Sequence, residues 1–120
     1  MNKKTVVIGA SPKPDRYSYK AVKMLEQHGH DVIACGFEPN FIGDIPIVTE
    51  WKNYHQVDTV SLYLNPKRQK EYYEYILSLK PKRVIFNPGT ENEELFILCK
   101  QHHILPVEAC TLVLLSTHQF

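Results

Sequence analysis

Apolar and polar residues alternate along the chain with two different periods, that of β-strands and that of helices. The run from Lys4 to Gly9 is rich in β-branched residues and stops at glycine, as a buried parallel strand does. From Tyr17 to His28 the apolar residues fall on one helical face, and Gly29 is placed to end that helix. Asp31 to Gly36 is a second apolar run that ends in glycine. The first third of the chain therefore predicts a β-α-β unit with two parallel strands.

The same alternation continues after an irregular stretch. Prolines and a glycine interrupt residues 37–56, so we expect a loop there with a short helical turn around Trp51. Three more strands are predicted at residues 57–64, 82–87 and 104–108. Pro106 favours a place at or near a sheet edge for the last of them, because proline cannot donate a hydrogen bond to a neighbouring strand.

The helices between these strands carry their own start signals. Asn65 followed by Pro66 is typical of an N-cap and a first helical residue, and the helix behind them is expected to stop before Pro81. Thr90 and Glu93 have the spacing of a capping box. The apolar tail at residues 111–115 predicts a last helical segment.

Five strands that alternate with helices predict an α/β fold of the Rossmann type. We expect a doubly wound, parallel, five-stranded sheet in the order 3-2-1-4-5, with helices on both faces in a three-layer α/β/α arrangement. The length of 120 residues favours a single domain over residues 1–120. Ligands of such sheets bind outside the carboxyl ends of the strands, where the winding reverses. The segments expected at that edge are 9–19, 36–40, 64–68 and 87–90.

Charge, cysteine count and the N-terminal segment narrow the partners and the compartment. A formal net charge of +1 argues against a dedicated nucleic-acid binder. The apolar run near the N-terminus is too short for a signal peptide or a membrane span. Cys35, Cys99 and Cys110 form no CxxC pair, and their odd number fits a reducing compartment. We therefore expect a cytoplasmic protein without membrane contact, with Cys35 and Cys99 buried.

The loop after the first strand occupies the position of a phosphate-binding loop. Gly9 allows close backbone approach, Ser11 adds a hydroxyl donor, and Lys13 and Arg16 bring positive charge. The loop is not a dinucleotide fingerprint, because Ser11 and Pro14 stand where GxGxxG has its second and third glycines. It is not a Walker A loop either, since no Gly-Lys-Ser/Thr occurs.

A resemblance to a known family is carried by the run Gly9-Ala10-Ser11-Pro12-Lys13-Pro14 and by Tyr17-Ser18-Tyr19 shortly after it. These residues closely resemble the opening of the small stand-alone CoA-binding proteins, which are similar to the nucleotide-binding domain of the succinyl-CoA synthetase alpha subunit. The resemblance covers nearly the whole chain. Its weaker parts are residues 25–32, Ile42-Gly43 with Pro46, residues 87–90, Glu93-Glu94 and Cys110.

The resemblance implies that coenzyme A binds at the carboxyl ends of the strands, with its phosphates on residues 9–13 and near Ser18. Together with the cations in these segments, it gives the following expected ligand contacts: Gly9, Ala10, Ser11, Pro12, Lys13, Arg16, Ser18, Gly36, Pro39, Tyr63, Pro66, Lys67, Asn87, Pro88 and Gly89.

One departure from the family concerns the 3′-phosphate of CoA. Relatives commonly carry an arginine after the third strand, where this chain has Tyr63-Leu64-Asn65-Pro66. Recognition of the 3′-phosphate would then fall to Lys67, Arg68 or Lys13. Cations in the first turn of a helix are unfavourable unless an anion compensates them, which makes Lys67 and Arg68 candidates for phosphate contact.

The expected function is that of a binding or regulatory module for CoA or an acyl-CoA, without chemistry of its own and without a metal. The related synthetases use a phosphorylated histidine on a further domain, whereas the histidines at 28, 30, 102 and 103 are expected in turns or on the surface. Two alternatives stay open: a protein that binds a nucleotide of the NAD(P) type, and a thiol-dependent enzyme that uses Cys110. The apolar tail is compatible with a protein partner or a homodimer.

Overall fold

The computed structural model describes residues 2–120, which form an α/β fold of three layers with one mostly parallel sheet. The strands are β1 Thr5–Ala10, β2 Val32–Gly36, β3 Asn40–Ile42, β4 Ile45–Val48, β5 Thr59–Leu62, β6 Arg83–Phe86 and β7 Leu105–Glu108. The α-helices are α1 Tyr17–Gln27, α2 Pro66–Gln69, α3 Tyr73–Ser78, α4 Glu93–Gln101 and α5 Thr111–Ser116, and a 3₁₀ turn at Lys70–Tyr72 joins α2 to α3.

The strand order is β3-β4-β2-β1-β5-β6-β7, and every neighbouring pair is parallel except β3 with β4. The Rossmann-type α/β architecture is confirmed, but the sheet has seven strands instead of five. The strand predicted as third, now β5, lies beside β1 and not beyond β2. The expected position beyond β2 belongs to β4. The strands β2, β3 and β4 lie on one side of β1, and β5, β6 and β7 follow on the other side.

The hairpin β3–β4 corrects the prediction of a loop with a helical turn around Trp51. Ile42 of β3 and Ile47 of β4 are buried, so each of these short strands turns an apolar side chain into the core. Pro46 lies in β4 opposite Phe41 and is tolerated there. Trp51 lies in an irregular segment, not in a helix.

Three local predictions can be compared with the structure directly. The strand that contains Pro106, β7, lies at an edge of the sheet as predicted. Asn65 caps α2, since its side-chain oxygen accepts a hydrogen bond from the backbone N–H of Arg68 at 2.9 Å. The predicted capping box is wrong, because Asn92 is the N-cap of α4 and the hydroxyl of Thr90 donates to the carbonyl of Asn87 instead.

Apolar side chains pack on both faces of the sheet. This packing fixes the strands, and with them the loops at the carboxyl edge. Along β1, Val6 and Ile8 pack toward the α3 and α4 side, whereas Val7 packs toward α1 and α5. Cys35 and Cys99 are fully buried in the first of these clusters, as predicted. Within residues 2–120, no helix has the length and apolar character needed to cross a bilayer.

Candidate functional site

A crevice opens at the carboxyl ends of β1 and β5, where the winding of the sheet reverses. It consists of two adjoining cavities of about 270 and 330 Å³. Both cavities are lined by Gly9, Ser11, Arg16 and Tyr63, so the loop after β1 forms their common floor. This is the position at which open parallel α/β sheets bind ligands.

Gly9 gives the crevice its shape. Its φ of +97° is in the left-handed region, and a Cβ there would lie 3.1 Å from the carbonyl carbon of Tyr63 and 3.1 Å from Leu64 Cδ2. The pairing of β1 with β2 also shifts register at this point, between Ile8 and Ala10. A side chain would therefore strain the backbone and push β1 away from the segment that follows β5.

The loop from Ser11 to Arg16 is held by its own hydrogen bonds. The backbone N–H of Ser11 donates to Ser18 Oγ at 3.1 Å, and that of Lys13 donates to Ser11 Oγ at 3.2 Å. The N–H of Arg16 donates to the carbonyl of Lys13 at 3.0 Å. Ser18 is buried, so its hydroxyl fixes the loop to the first turn of α1.

The N-terminus of α1 is open toward the crevice. The helix has 11 residues, its N-cap Arg16 makes no side-chain capping bond, and its first turn holds no acidic residue. The N–H groups of this first turn have no partner within the helix, and the helix dipole adds partial positive charge. Tyr17 and Ser18 both line the crevice, which places these donors where an anion can bind.

The smaller cavity, here called the cationic lobe, is lined by three cations and one carboxylate. Besides the shared floor with Arg16, it contains Ala10, Pro12, Lys13, Phe37, Glu38, Leu64 and Arg68. The guanidinium carbon of Arg68 lies 3.8 Å from the centre of the Phe37 ring. This stacked pair joins the segment after β2 to the start of α2, and it lies beside the carboxyl end of β1.

The aromatic rings of Trp51 and Tyr72 pack against Phe37. The ring of Trp51 lies 5.4 Å from that of Phe37 and 4.7 Å from that of Tyr72, and Tyr72 lies 6.0 Å from Phe37. The indole N–H of Trp51 donates to the carbonyl of Gly36 at 3.2 Å. Trp51 also lies 5.5 Å from the ring of Tyr75, so these contacts hold the segment after β2 against the 3₁₀ turn and α3.

The larger cavity, here called the neutral lobe, adds no further charged side chain to the shared floor. Its other lining residues are Tyr17, Ser18, Asn65, Pro88, Gly89 and Thr90. The fully buried Gln69 fixes two of its walls, because its amide nitrogen donates to the carbonyls of Leu64 and Thr90, each at 2.8 Å. The amide oxygen of Gln69 accepts a bond from Asn92 at 2.8 Å, so all its polar atoms are used.

Tyr63 lines both lobes. Its side chain is half-buried and packs with the apolar cluster under α1 and α5. Burial raises the pKa of Tyr63 to about 12. Within residues 2–120, the buried hydroxyl oxygen has no hydrogen-bond partner.

Ten of the predicted contact residues line the crevice. They are Gly9, Ala10, Ser11, Pro12, Lys13, Arg16, Ser18, Tyr63, Pro88 and Gly89. The sequence-based list left out Phe37, Glu38, Leu64 and Asn65, although the segments expected at this edge include them. It also left out Tyr17, Thr90 and Arg68 from the same segments, although Arg68 was named as a candidate for phosphate contact. The signal for Phe37 was an exposed aromatic residue directly after a buried strand.

Two predicted contacts, Gly36 and Asn87, lie outside the lining of both cavities and have structural roles in the fold. A Cβ on Gly36 would lie 2.5 Å from the carbonyl oxygen of Ala10, so glycine is required for the packing of β2 against β1. The buried amide of Asn87 donates to the carbonyl of Leu62 at 2.9 Å and accepts from the N–H of Thr111 at 2.8 Å. Asn87 thereby ties β5 and β6 to the start of α5.

Three further predicted contacts lie outside the lining of both cavities. Pro39 and Lys67 are exposed, and Pro66 is the first residue of α2. Lys67 and Arg68 are neighbours in sequence, but only Arg68 lines the crevice, because successive residues of a helix point about 100° apart.

The remaining reactive side chains lie away from the crevice lining. His30 accepts a hydrogen bond from the backbone of Lys3 at the amino end of the sheet, and His102 and His103 lie in the turn before β7. Cys110 is half-buried at the N-cap of α5. Among residues 2–120, no group of three or more histidine, cysteine, aspartate or glutamate side chains is arranged to hold a metal ion.

Comparison with known proteins agrees with this geometry. A crystal structure described as that of an uncharacterized protein is 49% identical, with a TM-score of 0.97 over 100% of this chain and 99% of its own. A hypothetical protein from Pyrococcus horikoshii OT3 is 27% identical, with a TM-score of 0.81 over 92% of this chain and 80% of its own. A protein from Thermus thermophilus, at 20% identity and a TM-score of 0.83 over 98% of this chain and 90% of its own, shares the fold.

No curated protein matches the sequence. The family model described as the CoA binding domain matches residues 3–116, which include every strand, every crevice-lining residue and nearly the whole of the described chain. The chain therefore belongs to the CoA binding domain family.

Proposed function

We propose that this protein binds coenzyme A or an acyl-CoA in the crevice and acts as a binding or regulatory module without chemistry of its own. The observation that carries the proposal is the open N-terminus of α1, which faces a crevice lined by Lys13, Arg16 and Arg68 in a member of the CoA binding domain family. CoA is a polyanion, and such a crevice offers both directional donors and positive charge to it.

The pyrophosphate belongs at the floor that the two lobes share. Ser11 and Arg16 line both cavities there, and the first turn of α1 presents its unpaired N–H groups beside them. A diphosphate at this point satisfies donors that the helix leaves unpaired. The prolines at 12 and 14 leave the loop fewer N–H groups of its own than a glycine-rich loop has, so the helix supplies more of the recognition.

The two lobes then take the two ends of CoA. The cationic lobe holds Phe37 and Arg68, which suit the planar adenine and the charged 3′-phosphate. The neutral lobe is lined by Tyr17, Asn65 and Thr90 without another cation, which suits the uncharged amides of the pantetheine arm. An adenine dinucleotide such as NAD lacks the third phosphate that the excess charge of the cationic lobe would bind.

The crevice lining supports binding more than catalysis. Its ionisable side chains are Lys13, Arg16, Arg68, Glu38 and two tyrosines, with neither a histidine nor a cysteine among them. A nucleophile paired with a general base is the usual requirement of acyl transfer, and this lining supplies no such pair.

A thermal shift experiment with CoA, dephospho-CoA, NAD and ATP tests the proposal. We expect CoA at a hundred times its dissociation constant to add about 2.7 kcal/mol to the stability of the folded protein. Arg16→Gln should reduce this shift, whereas the matched variant Lys20→Gln, one turn further along α1 and outside the crevice lining, should keep it. Stabilisation by NAD without stabilisation by CoA would overturn the proposal.

A further inference from the structure

Arg68 is a cation that the protein itself does not neutralise. Among residues 2–120, the ion pair within 4 Å joins Lys82 to Asp58 at 3.8 Å, so no carboxylate of these residues pairs with Arg68. Its backbone N–H is bonded to Asn65, but none of its side-chain N–H groups donates a hydrogen bond to a described residue. The side chain therefore presents five donors and a full charge to the crevice.

The position of this guanidinium is nevertheless fixed by its surroundings. It stacks on Phe37 at 3.8 Å, and the Phe37 ring is itself held by Trp51 and Tyr72. The backbone of α2 is fixed from below by Gln69, which is fully buried and bonded to two loops. Stacking uses the face of a guanidinium and leaves its edge free, so the donors are oriented in advance for a planar, multidentate acceptor such as phosphate.

The other cations of this region are less suited to the same task. Lys67 lies outside the lining of either lobe, whereas Arg68 lines the cationic lobe. Lys13 and Arg16 belong to the loop that leads into α1, where the proposed pyrophosphate lies. Glu38 is the one carboxylate in the cationic lobe, and three cations there outweigh it.

We propose that Arg68, held on the ring of Phe37, binds the 3′-phosphate of CoA and is the residue by which this protein distinguishes CoA from dephospho-CoA. The inference rests on the proposed function, since it assigns one end of the same ligand. The residue that distinguishes the two ligands then lies in the first turn of α2, in the segment that follows β5. Phe37 is assigned as the residue that orients its guanidinium.

Calorimetric titration of wild type, Arg68→Gln and Lys67→Gln with CoA and with dephospho-CoA tests this assignment. The wild type should bind CoA about ten- to a hundredfold more tightly than dephospho-CoA, the range expected for a charged hydrogen-bonded contact. Arg68→Gln should lose that preference by weakening CoA alone, and Lys67→Gln should keep it. Phe37→Leu should lower the preference while leaving the charge in place, and added salt should reduce it in the wild type.

Each other outcome has a definite meaning. Equal weakening of both ligands by Arg68→Gln, or an equal loss of preference in Lys67→Gln, would overturn the assignment and leave the proposed function intact. Equal binding of both ligands by the wild type would do the same. Failure of the wild type to bind either ligand would overturn the proposed function and the assignment with it.

Discussion

The two ends of the sheet treat their positive charges in opposite ways. At the amino end, Arg83 Nε donates to Thr59 Oγ1 at 2.8 Å, Lys4 Nζ donates to the carbonyl of His55 at 2.7 Å, and Lys82 pairs with Asp58. At the carboxyl end, the side chains of Lys13, Arg16 and Arg68 make no hydrogen bond or ion pair to the described residues.

This difference separates charge used for folding from charge available to a ligand. Cations that already have partners contribute to stability, and their removal leaves other polar atoms unpaired. Cations without partners add little to stability and repel one another, so their grouping is explained by an anion that joins them. The predictions below test this distinction between the two ends, beginning with the largest expected effect.

Glycine-to-alanine substitutions at the two ends of the sheet should differ in the free energy of unfolding that they cost and in their effect on CoA binding. Gly9→Ala should cost about 3 kcal/mol of unfolding free energy, because it adds crowding against Tyr63 and Leu64 to the strain of a positive φ. Gly29→Ala, near the amino end, meets no atom within 4 Å and should cost about 1 kcal/mol from strain alone. Urea unfolding measures both, and a CoA titration should show binding only in the second. Equal losses would mean that the contacts around Gly9 do not constrain the crevice.

Arginine substitutions should separate stability from binding. Arg83→Gln should lower the unfolding free energy by about 1–2 kcal/mol and leave CoA affinity unchanged, because this side chain is half-buried and bonded to Thr59. Arg16→Gln should leave stability within about 0.5 kcal/mol and weaken CoA by about tenfold. Denaturant unfolding combined with calorimetry gives both quantities. A reversal of this pattern would contradict the distinction between the two ends.

Removal of the carboxylate in the cationic lobe should improve binding. Glu38→Gln should tighten CoA by about two- to fivefold, the range for an exposed charge pair, because one repulsive charge near the phosphates is lost. The gain should shrink in high salt. Glu26→Gln, which is exposed on α1 and outside the crevice lining, is the matched control and should change nothing. Weaker binding in Glu38→Gln would show that Glu38 contacts the ligand favourably.

The smallest effect is expected at Tyr63. Tyr63→Phe removes a buried hydroxyl without a partner in the described chain, so stability at pH 7 should stay within about 0.5 kcal/mol. Because the folded-state pKa is raised to about 12, the wild type should lose stability as the pH rises from about 10 toward 12. Tyr63→Phe should lose less over that range, whereas Tyr17→Phe, at a ring that is 69% exposed, should behave as the wild type does. The measurement is the free energy of unfolding of the three proteins at pH 7 and pH 11. An equal loss between the two pH values in wild type and Tyr63→Phe would contradict the prediction.

The parts of the fold that sequence pattern predicted are those set by local burial. Long apolar runs marked β1 and β2, and the glycines near their ends marked the edge of the sheet at which the crevice lies. The hairpin β3–β4 was missed because its strands have three and four residues, with Pro46 inside one of them. The pairing of β1 with β2 was predicted correctly, but the other neighbour of β1 was not. The missed strand β4 takes the position beyond β2 that was expected for β5, and β5 lies beside β1.

The site shows the same division between local and tertiary information. The position of the loop from Gly9 to Arg16 in the crevice was predicted, because its glycine, hydroxyl and cationic residues lie next to one another in sequence. The structural role of Asn87 was not predicted, because nothing local shows that its amide bonds to the backbone of Leu62 and Thr111. The stack of Arg68 on Phe37 joins residues far apart in sequence and could not be predicted from either segment alone.

The most direct test of the central claim is a titration of the isotope-labelled protein with CoA, followed through its backbone amide resonances. We expect saturable shifts concentrated in the loop after β1, the first turn of α1, residues 37–38, 63–68 and 88–90, with the amino-end residues Lys4, Lys82 and Arg83 unaffected. Shifts centred on the amino end, or none at any CoA concentration, would contradict it.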